Sequence, residues 1–166
     1  MKPETLIRQL RTAQTPDLSR RRGIVGLSMV GAAAGAIVTL YQTGVIHHLP
    51  DSPLDIFDSD TVDAPTYAYK RGNAPDAPAM LVTYGITAGL ASAGGKNRAE
   101  RYPWLPIALA AKTAFDSLSA LKLAQEEWST NQKLCAYCQA ATVASIASAA
   151  LAIPEAIKGV QRLLGR

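Results

Sequence analysis

Two cysteines occur in the chain, and both sit in one motif, Cys135-Ala-Tyr-Cys138. Residues at i and i+3 of a helix bring their Cβ atoms to roughly 5–6 Å, so a disulfide can close there with modest local adjustment. A thiol on the first turn of a helix meets unpaired N–H groups and a partial positive charge, which stabilise a thiolate and raise its reactivity. In an oxidising compartment such a pair is a disulfide or a disulfide exchanger. A lone CxxC is a weak motif, and its meaning depends on the element that carries it.

Three other constellations carry possible chemistry. Lys112 and Asp116 are four apart, hence on one helix face, inside an otherwise apolar stretch. An internal ion pair is the expected arrangement, because unpaired charges in hydrocarbon are costly; the functional alternative is a polar wall or proton route beside a ligand pocket. His47 and His48 complete a Cys2His2 inventory with the two cysteines, but adjacent histidines point about 100° apart on a helix, so no metal is expected. Flanking a span is their ordinary role, with one of them a possible proton donor to a reduced quinone. Asp58-Ser-Asp60-Thr-Val-Asp63 imitates a calcium loop, but its sixth position is Asp63 instead of glycine and its twelfth is Tyr69 instead of glutamate. The segment reads better as a short interfacial helix with Asp63 or Thr66 near its start and Tyr67 and Tyr69 on the bilayer surface.

The elements that position these residues follow from the charge pattern. Hydrophobic residues make up 48% of the 166 and charged residues 18%, below the roughly 25% usual in soluble domains. No acidic or basic residue occurs in 23–50, 77–95, 103–111 or 134–154. About 20 apolar residues cross a bilayer, and four segments qualify as spans: Gly23–Ile46, the short Pro78–Ala93, Trp104–Leu123 and Leu134–Ile153, which stops before Pro154. All are rich in Ala, Gly, Ser and Thr, so mean hydropathy is only +0.06. A soluble Ala-rich bundle is the alternative, but Leu134–Ile153 has no charged stripe to face water. Small residues let membrane helices approach closely, and Gly31/Gly35 and Gly85/Gly89 both have GxxxG spacing, read as packing within one bundle with a dimer face as the alternative.

Orientation comes from lysine and arginine. Twelve lie in residues 1–22, in the second connection and in the tail 158–166, against four on the other side, at Lys70, Arg71, Lys122 and Lys133. Both termini are therefore expected in the cytoplasm, and the outer loop 47–77 and the CxxC on the outer side of the cell's inner (plasma) membrane. Trp104 and Trp128, at opposite ends of the third segment, suit interfacial anchoring. Ser19-Arg-Arg-Arg22 before an apolar run imitates a twin-arginine signal, but the run continues past Ala32–Ala34 to Ile46 and three more spans follow. Residues 1–22 are read as an uncleaved arm, with Pro3-Glu-Thr-Leu opening an amphipathic helix. The net charge of +4 is explained by topology: the basic residues form no stripe interleaved with aromatics, so nucleic acid is not an expected partner.

A CxxC opening the last of four spans, after a long acidic loop, resembles the vitamin K epoxide reductase family. The resemblance covers roughly Arg22 to Leu164 and looks closest to a bacterial branch, through Leu40-Tyr-Gln-Thr-Gly-Val-Ile-His-His-Leu-Pro50, Pro75-Asp-Ala-Pro78, Tyr84-Gly85, Gly94-Gly95, Lys112 and Asp116. It implies an all-α, four-helix membrane bundle working as a thiol–disulfide oxidoreductase coupled to a quinone. It also assigns roles: Cys138, deeper, meets the quinone, and Cys135, nearer the surface, exchanges with a thioredoxin-like partner thiol. The departures are specific. Typical members carry a second cysteine pair in the first outer loop, and 47–77 has none. They also carry a tyrosine four residues after the second cysteine and an asparagine near the second helix start, where this chain has Thr142 and Leu81. Thr142 and Tyr84 are the candidate quinone-pocket residues. The competing reading is a non-catalytic membrane subunit or scaffold with the same fold and a vestigial redox centre.

Overall fold

The structure, a computed structural model, describes residues 3–64 and 75–165. Every element in it is helical: α1 (Pro3–Thr12), α2 (Pro16–Gln42), α3 (Ser59–Asp63), α4 (Ala77–Ser92), α5 (Arg98–Arg101), α6 (Trp104–Asn131) and α7 (Ala136–Leu163). By length and composition α2 and α7 are each able to cross a membrane, and α4 is a shorter apolar helix. The amphipathic α1 begins at Pro3, and Arg22 ties it to α2 by donating to the carbonyls of Leu10 and Ala13.

The helices outrun the apolar segments because their stop signals lie elsewhere. Pro16 at the first turn and the Thr15 cap start α2 ahead of the three arginines, and Gly44 at φ +76° ends it, so Val45 and Ile46 fall outside the helix. Pro154 does not end α7, which runs on to Leu163. A proline interior to a helix loses one ladder bond; here the turn beyond it is held by packing, since a Cβ on Gly159 would lie 2.7 Å from the Pro103 carbonyl oxygen on the entry to α6.

Helix α2 packs on α4 and α7, α7 packs on α6, and α4 meets α6 along a looser seam. Gly31 and Gly35 bring α2 against α4: a Cβ at Gly31 would sit 2.2 Å from the Tyr84 ring, and one at Gly35 2.8 Å from Met80 Cβ. Gly85 and Gly89 face open space, so the second GxxxG takes no part in packing inside the chain. The interior is unusually polar, with Ser28, Thr113 and Ser117 buried and each hydroxyl returned to the carbonyl four residues back. The outside is apolar, with Val82, Phe115, Leu118 and Val143 each more than 60% exposed. Small polar residues within and large apolar ones without is the arrangement lipid-facing helices use.

At the end opposite the CxxC, two buried arginines close α4. Arg21 donates to the carbonyls of Ala91, Ala93, Gly94 and Gly95. Arg98 donates to Leu90 and Ala93 and forks onto Glu155 of α7 at 2.9 and 2.7 Å. Two cations on the negative end of a helix dipole are electrostatically favourable, and burial is the main reason the Arg21 pKa falls to about 10.

Candidate active site

The loop before α3 and the strand-like residue before the CxxC hold one another. Asp58 N–H donates to the Leu134 carbonyl and Leu134 N–H to the Ile56 carbonyl, at 3.1 and 3.0 Å. Asp58, and not Asp63 or Thr66, caps α3, accepting from Thr61 N–H; Asp63 is its last residue. Thr66, Tyr67 and Tyr69 lie outside the described residues. Asp51 accepts from both the backbone and the hydroxyl of Ser59, whose oxygen in turn accepts from Ala136 N–H at 3.0 Å. The outer loop thus caps α7 and shapes its first turn.

Cys135 is the N-cap of α7, and its Sγ accepts from Cys138 N–H at 3.1 Å. Cys135 is fully buried, packed with Val38, Val62 and Ala77 beneath the loop, while Cys138 is half-buried. Helical phase decides this: Cys135 turns toward α3, and Cys138, three residues on, turns toward the seam between α4 and α6.

That seam holds a cavity of about 510 Å³ lined by α4, α6 and α7 and bounded by Asp63. Cys138, Tyr84, Thr142 and Asp116 line it, and Phe115, 71% exposed, marks a mouth on the α6 side. Thr142 returns its hydroxyl to the Cys138 carbonyl at 2.8 Å. Tyr84 reaches across from α4 to the Ala141 carbonyl (2.5 Å) and the Ser145 hydroxyl (2.9 Å). Leu81 is partly exposed and does not line the cavity. Lys112 is held by Asp116, the Thr83 carbonyl and the Thr87 hydroxyl, so the pair closes one wall of the cavity.

Two carboxylates stand beside the thiols: Glu127, which the sequence reading passed over, and Asp63, which it placed only near the start of an interfacial helix. Glu127, 4% exposed in α6, accepts from Cys135 N–H (3.3 Å) and the Gln139 amide (3.1 Å), and its carboxyl bonds the Cys138 side chain. Asp63, 5% exposed, bonds the Cys135 side chain, and its Oδ2 is buried without a hydrogen-bond partner. Burial pushes the Asp63 pKa up to about 6 and the Glu127 pKa up to about 7. One signal was available: Glu126-Glu127 near the C-terminus of a helix opposes the macrodipole, so an acid there has to be held by something else.

Asp63, Cys135 and Cys138 bring a carboxylate oxygen and the two sulfurs within 4.8 Å of one another. His47 and His48 are not in this group. His48 pairs with Asp60, and neither histidine lines the larger cavity, so a proton role for them at that cavity lacks a contact.

Neither the curated proteins nor the solved structures contain a match to the chain. The family model of the vitamin K epoxide reductase family matches residues 23–153, and the chain belongs to that family.

Proposed function

We propose that the protein is a multi-pass membrane thiol–disulfide oxidoreductase in which the Cys135/Cys138 pair exchanges two electrons with a quinone held between α4, α6 and α7. The observation that carries this reading is Cys138 opening onto a mainly apolar cavity of about 510 Å³, within the usual 300–1,000 Å³ of ligand pockets. The residues present suit such a ring: Tyr84 and Phe115 offer aromatic surface, and Asp63, when protonated, can donate from its unpartnered Oδ2 to a carbonyl. A quinone supplies a lipid-soluble acceptor of two electrons and two protons.

The chain's own residues do the rest. Glu127 and the Cys138 N–H fix the first turn of α7, so that both sulfurs stay side by side on that turn, ready to bond. Thr142 and Tyr84 shape the floor of the cavity, and the Lys112–Asp116 pair sets a charged but neutralised wall away from the sulfurs. The Lys/Arg distribution supports cytoplasmic termini and a CxxC near the outer surface of the plasma membrane. With no cysteine in 47–77, a thioredoxin-like partner has to reach the pair directly, and buried Cys135 requires the outer loop to move aside.

The test uses purified, dithiol-reduced protein in detergent mixed with a short-chain ubiquinone or menadione. Loss of quinone absorbance together with loss of two thiols per chain is expected, and Cys138→Ser should abolish it. A wild-type protein that keeps both thiols reduced in the presence of both quinones refutes the assignment. The scaffold reading draws on the sealed Cys135 and predicts that result.

A further inference from the structure

The CxxC is surrounded by a matched set of acids. A carboxylate oxygen of Asp63 in α3 lies within 4.8 Å of both sulfurs, and Glu127 of α6 accepts from Cys135 N–H at 3.3 Å. The Cys135 thiol interacts most directly with Asp63 and the Cys138 thiol with Glu127. The two carboxyls come from different elements and reach the first turn of α7 from two sides, and both line the cavity. Both are almost completely buried, where an ionised carboxylate is expensive unless something stabilises it. The structural needs are unequal. Glu127 also holds Cys135 N–H and Gln139, whereas Asp63 leaves Oδ2 with no partner at all. Lys112, the partner of cavity-lining Asp116, is also engaged by Thr83 and Thr87. Asp76, at the start of α4, adds further negative charge to the same cavity.

We infer that Glu127 and Asp63 are the proton acceptors of the two thiols, Glu127 for Cys138 and Asp63 for Cys135, and that they pass those protons into the cavity. This rests on the dithiol–quinone reading above. When the dithiol closes, one S–S bond forms and two S–H bonds break. Two electrons pass to the quinone, and the Cys138 proton moves to Glu127 and the Cys135 proton to Asp63. Both protons then go to the two quinone oxygens, so thiols and quinone become disulfide and hydroquinone, and both carboxyls return to their starting state. Asp63 lines the cavity and its Oδ2 has no hydrogen-bond partner among the described residues, which makes it the place from which the second proton leaves. Both acids carry pKa values raised toward neutrality, the range in which a general base is effective.

The carboxylate has two opposite effects on Cys138, which makes the inference testable. As a base it speeds the loss of the thiol proton during oxidation. As a negative neighbour it disfavours a standing thiolate. Glu127→Gln should therefore speed alkylation of Cys138 by N-ethylmaleimide at pH 8 about tenfold, the factor for one unit of thiol pKa. The same variant should oxidise its dithiol with short-chain ubiquinone or menadione roughly 10²-fold more slowly, and Glu127→Asp should restore part of that rate. Asp63→Asn should also slow oxidation and, because the Asp63 carboxylate lies within 4.8 Å of the Cys138 sulfur as well, it too should speed Cys138 alkylation. Mass spectrometry assigns the alkylated residue. A distorted pocket lowers both rates together, and that outcome, or no change in either, overturns the inference. Should the wild-type protein be inert to both quinones, the quinone assignment fails and the alkylation arm decides alone: equal Cys138 alkylation in wild type and Glu127→Gln overturns the acid pairing, and faster alkylation in the variant upholds it.

Discussion

Removing the carboxylate of Glu155 tests how the end opposite the CxxC is held together. Glu155 is 4% and Arg98 1% exposed, and the guanidinium donates two bonds to the carboxylate from Nε and Nη2. In Glu155→Ala those two charged donors lose their acceptors in a site water does not reach. Breaking one side of a buried pair costs roughly 3–5 kcal/mol, which for a chain of this size lowers the melting temperature by about 10 °C. Glu155→Gln keeps one acceptor and should lose about half as much. The double variant Arg98→Met/Glu155→Leu removes the stranded charge but also three bonds to the end of α4, so it should recover only part of the loss. Arg21 still holds the carbonyls of Ala91, Ala93 and Gly94 in that variant. Scanning fluorimetry in detergent at fixed pH reads these proteins together with the single variants Arg98→Met and Glu155→Leu. A Glu155→Ala protein within about 1 kcal/mol of wild type, or single losses that simply add in the double variant, would refute the reasoning.

Asp116→Ala should strand the Lys112 ammonium and destabilise the protein by roughly 3 kcal/mol, while Lys112→Met/Asp116→Leu regains most of it; additive losses in the cycle would show that the two side chains do not couple. Glu127 titrates near 7 in the fold against 4.5 in the unfolded chain, so the fold holds a proton that the unfolded chain has lost, and stability should fall as pH rises from about 4.5 to 7. The Glu127 share of the fall is at most about 3 kcal/mol, and Asp63, raised from 3.8 to about 6, adds a fall of the same sign below pH 6. Glu127→Gln should therefore flatten the curve only between about pH 6 and 7, as a melting series from pH 4 to 8 reads directly. In a background with both native cysteines replaced by serine, Ser52→Cys should react with an impermeant maleimide on intact cells and Arg11→Cys only after lysis; the opposite pattern reverses the orientation.

Much of the site's position was written in local sequence. The i, i+3 spacing of Cys135 and Cys138 puts both sulfurs on the first turn of one helix, and the i, i+4 spacing of Lys112 and Asp116 makes them neighbours wherever α6 runs. What each cysteine faces was not local. Cys135 is buried because residues 49–63 fold over it, and Cys138 meets the cavity because α4 and α6 part there. Tyr84 was legible only as part of a resemblance; its reach to Ser145, 61 positions away, depends on the close approach that Gly31 permits.

The sequence by itself determined the elements and their environment. Charge-free stretches, capping residues and glycine spacing act over a few residues, where backbone geometry leaves few choices, so an all-helical chain with apolar helices and a CxxC at the head of the last one could be read directly. Helix ends were less readable, because packing can override a local stop, as it does at Pro154. The tertiary structure alone decided which charges are buried together. Arg98 meets Glu155, Asp63 meets Cys135 and Glu127 meets Cys138 through contacts between separate elements. An acidic or basic residue reads the same in sequence whether it ends in water or against a sulfur; only packing removes the water and makes its partner matter.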